Sequence, residues 1–351
     1  MKRAFIFAMA LAPVLGAPAY VLAQTGAATK PAQAAPAAPA AKPLELQTLD
    51  SSRHTDPFPP VNPKFFNAAT PTVDTVNSFL TALWGYDPNR IWRVEAIQTT
   101  SAPGVSKVVV FVTDKNSTGK VASTSFFVTP DGKHAIADAA NVISFGAKPF
   151  EDTRKMLQER ADGAYRGSAS KNLMLVEFAD LQCPHCKEAQ ATMDRLAQDF
   201  PNARIVFQSF PLVDIHPFAF KAAAYGYCVT KQKNDAFFPY ASAVFDNQAS
   251  LTPEMGDKTL KDAVVKAGLD AATIDTCANT VEAKNAVEAS IKLAQDAAVE
   301  QTPMLSVNGH LLPLNGIPYE TLKTVISYQA VEDGVTTGAT APRTAPSLGV
   351  R

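Results

Sequence analysis

A Cys-x-x-Cys pair between two strand patterns constrains the fold of this chain more than any other feature. Residues 173–178 form an apolar run with the length of a buried central strand. Cys183-Pro184-His185-Cys186 follows, and then apolar residues recur at intervals of 4, 3 and 4, at Ala189, Met193, Leu196 and Phe200. Residues 204–208 form a second strand pattern. A Cys-x-x-Cys that opens a helix inside a βαβ unit is typical of a redox motif.

The start of a helix changes the chemistry of a thiol. An ordinary cysteine has a pKa near 8.5, so only about 3% of it is the reactive thiolate at pH 7. At Cys183 the unpaired N–H groups and the positive end of the helix dipole favour the anion. Pro184 suits the first helical position, and His185 is a polar neighbour that is positive when protonated. We therefore expect Cys183 to be the exposed nucleophile, with a lowered pKa, and Cys186, one turn inward, to be the resolving thiol.

Other roles for a Cys-x-x-Cys pair fit this sequence less well. A zinc site needs further ligands, but Cys228 and Cys277 stand alone and no His-x3-5-His occurs. A c-type haem needs histidine directly after Cys186, where Lys187 stands. A purely structural disulfide within the motif stays open. We expect no metal and no cofactor. The 32 basic and 33 acidic residues, without a basic run, argue against a nucleic-acid partner.

The first 23 residues have the pattern of a signal peptide. Two basic residues precede an apolar stretch from Ala4 to Leu15, and small residues lead to Ala23, where cleavage is expected. The alternative is a membrane anchor, but proline and glycine leave the apolar run shorter than the ~20 residues that a spanning helix needs. We expect a soluble periplasmic or secreted protein, in a compartment where disulfides persist.

Composition and periodicity divide the rest of the chain. Apolar spacing over residues 73–83 predicts a helix, and strand patterns follow up to the turn at residues 130–132. The predicted segments are an Ala/Pro-rich disordered linker at 24–62, a small α+β domain at 63–149, a connecting helix at 150–167, a catalytic domain at 168–330 and a disordered tail at 331–351.

The stretch Glu177-Phe178-Ala179-Asp180-Leu181-Gln182-Cys183-Pro184-His185-Cys186-Lys187 closely resembles the DsbA-like thioredoxin-fold thiol:disulfide oxidoreductases. The resemblance continues through Phe210-Pro211-Leu212 and His216-Pro217 to Thr302-Pro303. It implies an α/β thioredoxin fold with a helical insertion at about residues 216–298, here preceded by the small α+β domain.

The resemblance also implies roles for individual residues. Thr302-Pro303 matches the cis-proline dipeptide that faces the active cysteines and pairs with an extended substrate. Glu177 matches an acidic position beneath the site; a carboxylate in an apolar strand has a raised pKa and can exchange the proton of Cys186. The alternative for Glu177 is an edge-strand residue facing water. His216 is interpreted as a structural helix-start residue rather than a catalytic one.

Cys228 and Cys277 lie on predicted helices of the insertion. Two free thiols would be a liability in an oxidising compartment for a protein that exchanges thiols, so we favour a structural disulfide between them. In the chain-entropy model a loop of about 50 residues contributes roughly 4 kcal/mol. The alternative is two buried, inert thiols.

The N-terminal domain bears on the direction of the thiol chemistry. Residues 127–134 and the charged linker after them loosely resemble the N-terminal domain of the DsbC/DsbG-type isomerases, which dimerises, and Thr302 also resembles that branch. The Cys-Pro-His-Cys tetrad favours an oxidase slightly. The expected partners are exported polypeptides with thiols or disulfides, a membrane redox partner that resets the site, and a second copy bound through the N-terminal domain. A non-catalytic chaperone is the alternative from another class.

Overall fold

The computed structural model describes residues 57–115, 121–137 and 142–335. The predicted signal peptide, residues 24–56 of the predicted linker and residues 336–351 of the predicted tail lie outside these ranges. Within them the chain forms a small antiparallel sheet with one helix, and then a mixed sheet with helices.

The N-terminal sheet has the strand order β1-β2-β3-β4-β5, and every neighbouring pair is antiparallel. Its elements are α1 (Val73–Trp84), β1 (Arg90–Thr99), β2 (Ser106–Asp114), β3 (Ala122–Val128), β4 (His134–Ile136) and β5 (Val142–Ser144). The hydroxyl of Thr72 caps α1 by accepting a hydrogen bond from the Thr75 N–H. Val76 and Leu80, on the predicted apolar face, are buried against the sheet. This separate sheet confirms the predicted α+β character of the region.

The end of the predicted linker is packed against this sheet. Phe58 is only 6% exposed, and the guanidinium of Arg93 lies 5.0 Å from the centre of its ring. Arg93 also donates a hydrogen bond to the Pro59 carbonyl. The prediction of disorder up to residue 62 is therefore wrong for Phe58. Packing of its aromatic ring removes a large apolar area from water, and the small side chains of the Ala/Pro-rich part of the linker offer no comparable area.

The predicted connecting helix at 150–167 is shorter than expected. Helix α2 covers Glu151–Arg160, and β6 (Ala164–Gly167) then pairs antiparallel with a strand of the second sheet. Only Ala164 of this four-residue strand is buried, so the strand carries no alternating pattern, and the charged residues before it favour a helix. A backbone at the edge of a sheet gains hydrogen bonds there that short-range periodicity does not reveal.

The second sheet has the order β10-β9-β7-β8-β6. Its remaining elements are β7 (Met174–Ala179), α3 (Pro184–Asp199), β8 (Arg204–Ser209), β9 (Met304–Val307), β10 (His310–Pro313) and α9 (Tyr319–Glu332). Strand β7 is central and buried along its whole length, as the apolar run predicts. Asn308 and Gly309, with φ angles of 47° and 95°, form the two-residue turn between β9 and β10.

Strand directions bring three loops to one edge of this sheet. Strands β7 and β8 are parallel, and β9 runs antiparallel to β7. The segments after Ala179 and after Ser209 therefore lie at the same edge as the segment before Met304. Cys183, His216 and Thr302 belong to these three segments.

Helices fill the chain between β8 and β9. They are α4 (Ala219–Gln232), α5 (Phe237–Asp246), α6 (Gly256–Lys266), α7 (Ala271–Ala278) and α8 (Val281–Asp296). Small residues on α4 allow close packing: a Cβ added at Gly226 would lie 2.9 Å from the ring of Phe237. A disulfide joins Cys228 on α4 to Cys277 on α7, whose Cα atoms are 6.0 Å apart. The apolar core of these helices extends to Cys183 and Cys186.

Candidate active site

Cys183 is the N-cap residue of α3, and Pro184 is the first residue of the helix. The carbonyl of Cys183 accepts hydrogen bonds from the N–H groups of Cys186 and Lys187, at 3.2 and 3.3 Å. Met193, two turns after Cys186 on the same face of this helix, is fully buried. The buried face of α3 therefore fixes the helix, and the start of the helix carries the sulfur of Cys183.

The surroundings of Cys183 favour its thiolate. Its pKa is lowered from 9.0 to about 5, chiefly by the hydrogen bond from the Cys186 thiol. Burial opposes this shift, while the Thr302 side chain and the N–H groups of Cys186 and His185 add to it. His185 is in the first turn of α3, where an N–H has no carbonyl partner four residues earlier in the helix, so its N–H can face the Cys183 sulfur.

Cys183 is less exposed than the sequence indicates, since only 5% of the residue is accessible. The side chain of Gln248, from the helical insertion, donates hydrogen bonds to the carbonyls of Leu181 and Cys183, at 3.0 and 2.9 Å. On another side, the Cys183 Sγ lies 3.8 Å from the Thr302 carbonyl. The expectation of an exposed nucleophile is therefore wrong, because the insertion covers the site.

Cys186 lies deeper than Cys183 and is completely buried. Burial raises the pKa of the Cys186 thiol. The N–H of Asp180 donates to the Cys186 Sγ at 3.4 Å. The two sulfurs thus differ strongly in acidity although they are three residues apart, which suits a nucleophile and a resolving partner.

The peptide bond between Thr302 and Pro303 is cis. The hydroxyl of Thr302 is buried and makes no hydrogen bond of good geometry within the described residues. It is nevertheless close enough to the sulfurs to lower the pKa of both Cys183 and Cys186. This segment and the start of α3 therefore face each other across the sulfur of Cys183.

His185 is exposed beside the cysteine pair. Its Nδ1 lies 3.1 Å from a carboxylate oxygen of Glu188. Glu188 raises the pKa of His185, first through this hydrogen bond and then through its charge, and the nearby Cys183 acts in the same direction. A protonated imidazole next to Cys183 favours the thiolate in turn.

Glu177 is in the middle of β7 and only 2% exposed. Its Oε1 accepts a hydrogen bond from Gln190 Nε2 at 2.8 Å, and the same nitrogen donates to the carbonyl of Cys186 at 3.0 Å. Burial raises the pKa of Glu177 from 4.5 to about 7. The water-facing alternative is therefore excluded, and Gln190 connects the carboxylate to the backbone of Cys186.

His216 is not at the start of a helix, since α4 begins at Ala219. Its Nδ1 lies 2.7 Å from a carboxylate oxygen of Asp180. The sequence analysis did not predict a role for Asp180. Its position, as a charged residue directly after a buried strand and shortly before Cys183, could have indicated one. No local signal marked its contact with His216, because the two residues belong to different loops.

The contacts of Gln190 and Gln248 with the active-site segment were also not predicted from the sequence. Gln190 stands four residues after Cys186, on the same face of α3, so helical spacing contained the information. Gln248 is in the insertion, and only the packing of α5 beside α3 brings it to Cys183. Within residues 57–115, 121–137 and 142–335, no group of three or more His, Cys, Asp or Glu side chains is arranged to hold a metal ion.

A family model described as Thioredoxin matches residues 159–327. These residues run from the end of α2 into α9 and include the cysteine pair, the insertion and Thr302-Pro303. This match and the mixed sheet of the same residues confirm the predicted thioredoxin fold for this part of the chain.

More particularly, the chain is similar to a disulfide bond formation protein, which confirms the resemblance inferred from the sequence. The probable disulfide bond formation protein D of Bacillus cereus is 26% identical over 152 residues, which are 41% of this chain and 69% of that protein. The Na(+)/H(+) antiporter NhaA 1 of Salinispora arenicola is 33% identical over 88 residues. These residues are 25% of this chain but only 13% of the length of that protein.

A solved structure of a periplasmic thioredoxin-like protein from Salmonella enterica serovar Typhimurium is also similar. It is 19% identical, with a TM-score of 0.42, and the match covers 51% of this chain and 96% of that one. Across the described part of this chain, no helix has both the length and the apolar character to cross a membrane.

Proposed function

We propose that this chain is a thiol:disulfide oxidoreductase that exchanges disulfides with exported polypeptides through Cys183 and Cys186. The observation that carries the proposal is the acidic Cys183 thiol at the start of α3, facing Thr302 and Pro303. A thiolate at pH 7, a buried second thiol within reach and a neighbouring backbone edge are what disulfide exchange requires.

In the oxidising direction, a substrate thiolate attacks the Cys183 Sγ of the Cys183–Cys186 disulfide. The bond between the two protein sulfurs breaks, and Cys186 leaves as a thiolate that takes up a proton. A second substrate thiolate then attacks the substrate sulfur bonded to Cys183, and Cys183 leaves as a thiolate. The substrate loses two electrons and the protein gains them. Glu177, with a pKa raised to about 7, is proposed to exchange the proton of Cys186 through this buried region.

The oxidising direction is slightly favoured. Every contact that lowers the pKa of Cys183 stabilises the reduced form of the protein relative to its disulfide. The disulfide then tends to be passed to a substrate. This direction requires a partner that reoxidises the cysteines, and we propose a membrane-bound redox partner.

Export is part of the proposal. The sequence pattern of residues 1–23 supports it, and so does the Cys228–Cys277 disulfide, since such bonds persist in oxidising compartments. We propose that the protein acts in the periplasm or outside the cell.

A disulfide isomerase or reductase is the second candidate. It is favoured by the separate antiparallel sheet at residues 90–144, which a simple oxidase does not need. In that case the N-terminal domain is proposed to mediate a homodimer and to hold misfolded clients. Insulin reduction and the refolding of a protein with scrambled disulfides distinguish the two candidates. A reductase or isomerase is expected to be strongly active in at least one of these assays, whereas an oxidase is expected to be strongly active in neither.

The test of the whole proposal is Cys183→Ser, compared with Cys186→Ser. We expect Cys183→Ser to abolish exchange and Cys186→Ser to accumulate a mixed disulfide between Cys183 and substrate. Thiol trapping in cells then reports the direction, with the pair mostly oxidised in an oxidase. Full activity of Cys183→Ser would refute the proposal. Client binding that persists without both thiols, and no exchange in the wild type, would instead favour the non-catalytic chaperone.

A further inference from the structure

Asp180 connects the active-site segment to the loop that follows β8. The residue is only 1% exposed. One carboxylate oxygen accepts a hydrogen bond from the Gln182 N–H at 2.7 Å. The other accepts from the Leu212 N–H at 2.8 Å and lies 2.7 Å from His216 Nδ1. A buried carboxylate requires such partners, so these contacts fix residue 180 relative to both loops.

The backbone of the same residue contacts both cysteines. The carbonyl of Asp180 accepts a hydrogen bond from the Cys183 N–H at 3.0 Å. The N–H of Asp180 donates to the Cys186 Sγ at 3.4 Å. The side chain of Asp180 is thus anchored outside the cysteine pair while its peptide groups touch the pair directly.

Cys186 needs a fixed donor more than Cys183 does. It is completely buried, and burial disfavours its thiolate. The N–H of Asp180 and the hydroxyl of Thr302 oppose that effect. A donor that is already in place stabilises a developing anion without reorganisation, as in an oxyanion hole.

We propose that Asp180 is a positioning residue for the exchange step of Cys186: its anchored carboxylate holds in place the N–H that stabilises the Cys186 thiolate. The inference rests on the proposed function. The residue acts through its backbone and does not itself exchange electrons. Leu212 and His216 contribute by holding the carboxylate.

The step can be observed with glutathione disulfide as the probe. The Cys183 thiolate of the reduced full-length protein attacks one glutathione sulfur, forms a mixed disulfide and releases one glutathione thiolate. Cys186 then gives up its proton and attacks the Cys183 Sγ. This forms the Cys183–Cys186 bond and releases the second glutathione thiolate. Two electrons pass from the protein dithiol to glutathione. Rapid acid quenching and mass spectrometry measure the two steps separately.

The main variant is Asp180→Asn, which keeps the size of the side chain but removes its charge. We expect the first step to stay within about twofold of the wild-type rate. The second step should slow about 10-fold, because the hydrogen bond from the residue 180 N–H to the Cys186 thiolate is weakened. His216→Gln leaves Asp180 in place and removes one contact, so we expect a smaller slowing of the second step, about threefold. If Asp180→Asn does not fold, His216→Gln decides.

Asp199→Asn is the matched control. This carboxylate is at the other end of α3, where Lys323 and Tyr319 bind it, and its loss should leave both steps unchanged. The proposal is overturned if the second step stays at the wild-type rate in both test variants, or if both steps slow equally. A wild-type protein whose Cys183–Cys186 pair is not oxidised by glutathione disulfide, together with a Cys186→Ser variant that forms no mixed disulfide, would instead refute the proposed function.

Discussion

The acidity of Cys183 depends first on its partner Cys186, which provides a sharp test. The pKa of Cys183 is lowered to about 5, and the hydrogen bond from the Cys186 thiol is the largest cause. At pH 7 a thiol with this pKa is about 99% thiolate, against about 1% for a thiol with a pKa of 9. We expect Cys186→Ala to raise the pKa of Cys183 towards its ordinary value. Cys186→Ser keeps a hydroxyl donor and should retain most of the lowering.

The same shift predicts how the stability of the reduced protein depends on pH. Between pH 5 and 9 the unfolded chain keeps the Cys183 proton, whereas the folded protein has released it. Cys183 therefore contributes stability to the folded reduced state that grows as pH rises through this window and is lost as pH falls towards 5. Glu177 acts in the opposite direction between pH 4.5 and 7, so the Cys183 contribution is measured as the difference between the reduced and the disulfide forms, which both contain Glu177. The gain is about 1.4 kcal/mol per pH unit before solvent screening. From pH 5 to 7 we expect about 2 kcal/mol. The disulfide form has no such thiolate and should lack this gain.

Two measurements test this reasoning. The ultraviolet absorbance of the thiolate and the rate of alkylation by iodoacetamide, each followed over about pH 3 to 9, give the pKa of Cys183. Urea unfolding of the reduced and oxidised proteins at about pH 5 and pH 7 gives the stability difference. An ordinary pKa in the wild type would refute the reasoning, as would the same pKa in Cys186→Ala.

Three further changes have defined outcomes. Burial raises the pKa of Glu177 from 4.5 to about 7, so this residue destabilises the folded protein increasingly as pH rises from 4.5 through 7. In urea unfolding, Glu177→Gln should therefore stabilise the protein by about 3 kcal/mol at pH 8 and have little effect at pH 4.5; equal effects at both pH values would contradict this. Replacing Cys228 and Cys277 together by serine should lower the free energy of unfolding by about 4 kcal/mol, seen as a lower thermal midpoint; an unchanged midpoint would show that the disulfide does not stabilise the fold. Phe58→Ala should destabilise the N-terminal sheet by about 3 kcal/mol, measured by tryptophan fluorescence, whereas Val61→Ala, at a side chain that is 46% exposed, should have almost no effect.

The predictable parts of the fold rest on short-range patterns. The apolar run of β7 and the helical spacing after Cys186 each determine local structure within a few residues. Strand β6 was missed because four residues at the edge of a sheet carry too little pattern to outweigh the charged helix before them. The packing of Phe58 was missed because its contact is with Arg93, on a strand far along the chain.

The sequence alone determined that Cys183 stands at the start of a helix with Cys186 one turn further, because spacing and helix capping are local properties. Only the tertiary structure decided how the pair is enclosed. Gln248, in the insertion, donates a hydrogen bond to the Cys183 carbonyl, and His216, in the neighbouring loop, contacts the Asp180 carboxylate. These contacts join segments that are distant in the chain: the packing of α5 beside α3 brings in Gln248, and the parallel strands β7 and β8 bring Asp180 and His216 to one edge of the sheet. The acidity of each sulfur follows from that enclosure, since burial and hydrogen bonds set a pKa only once the chain has folded.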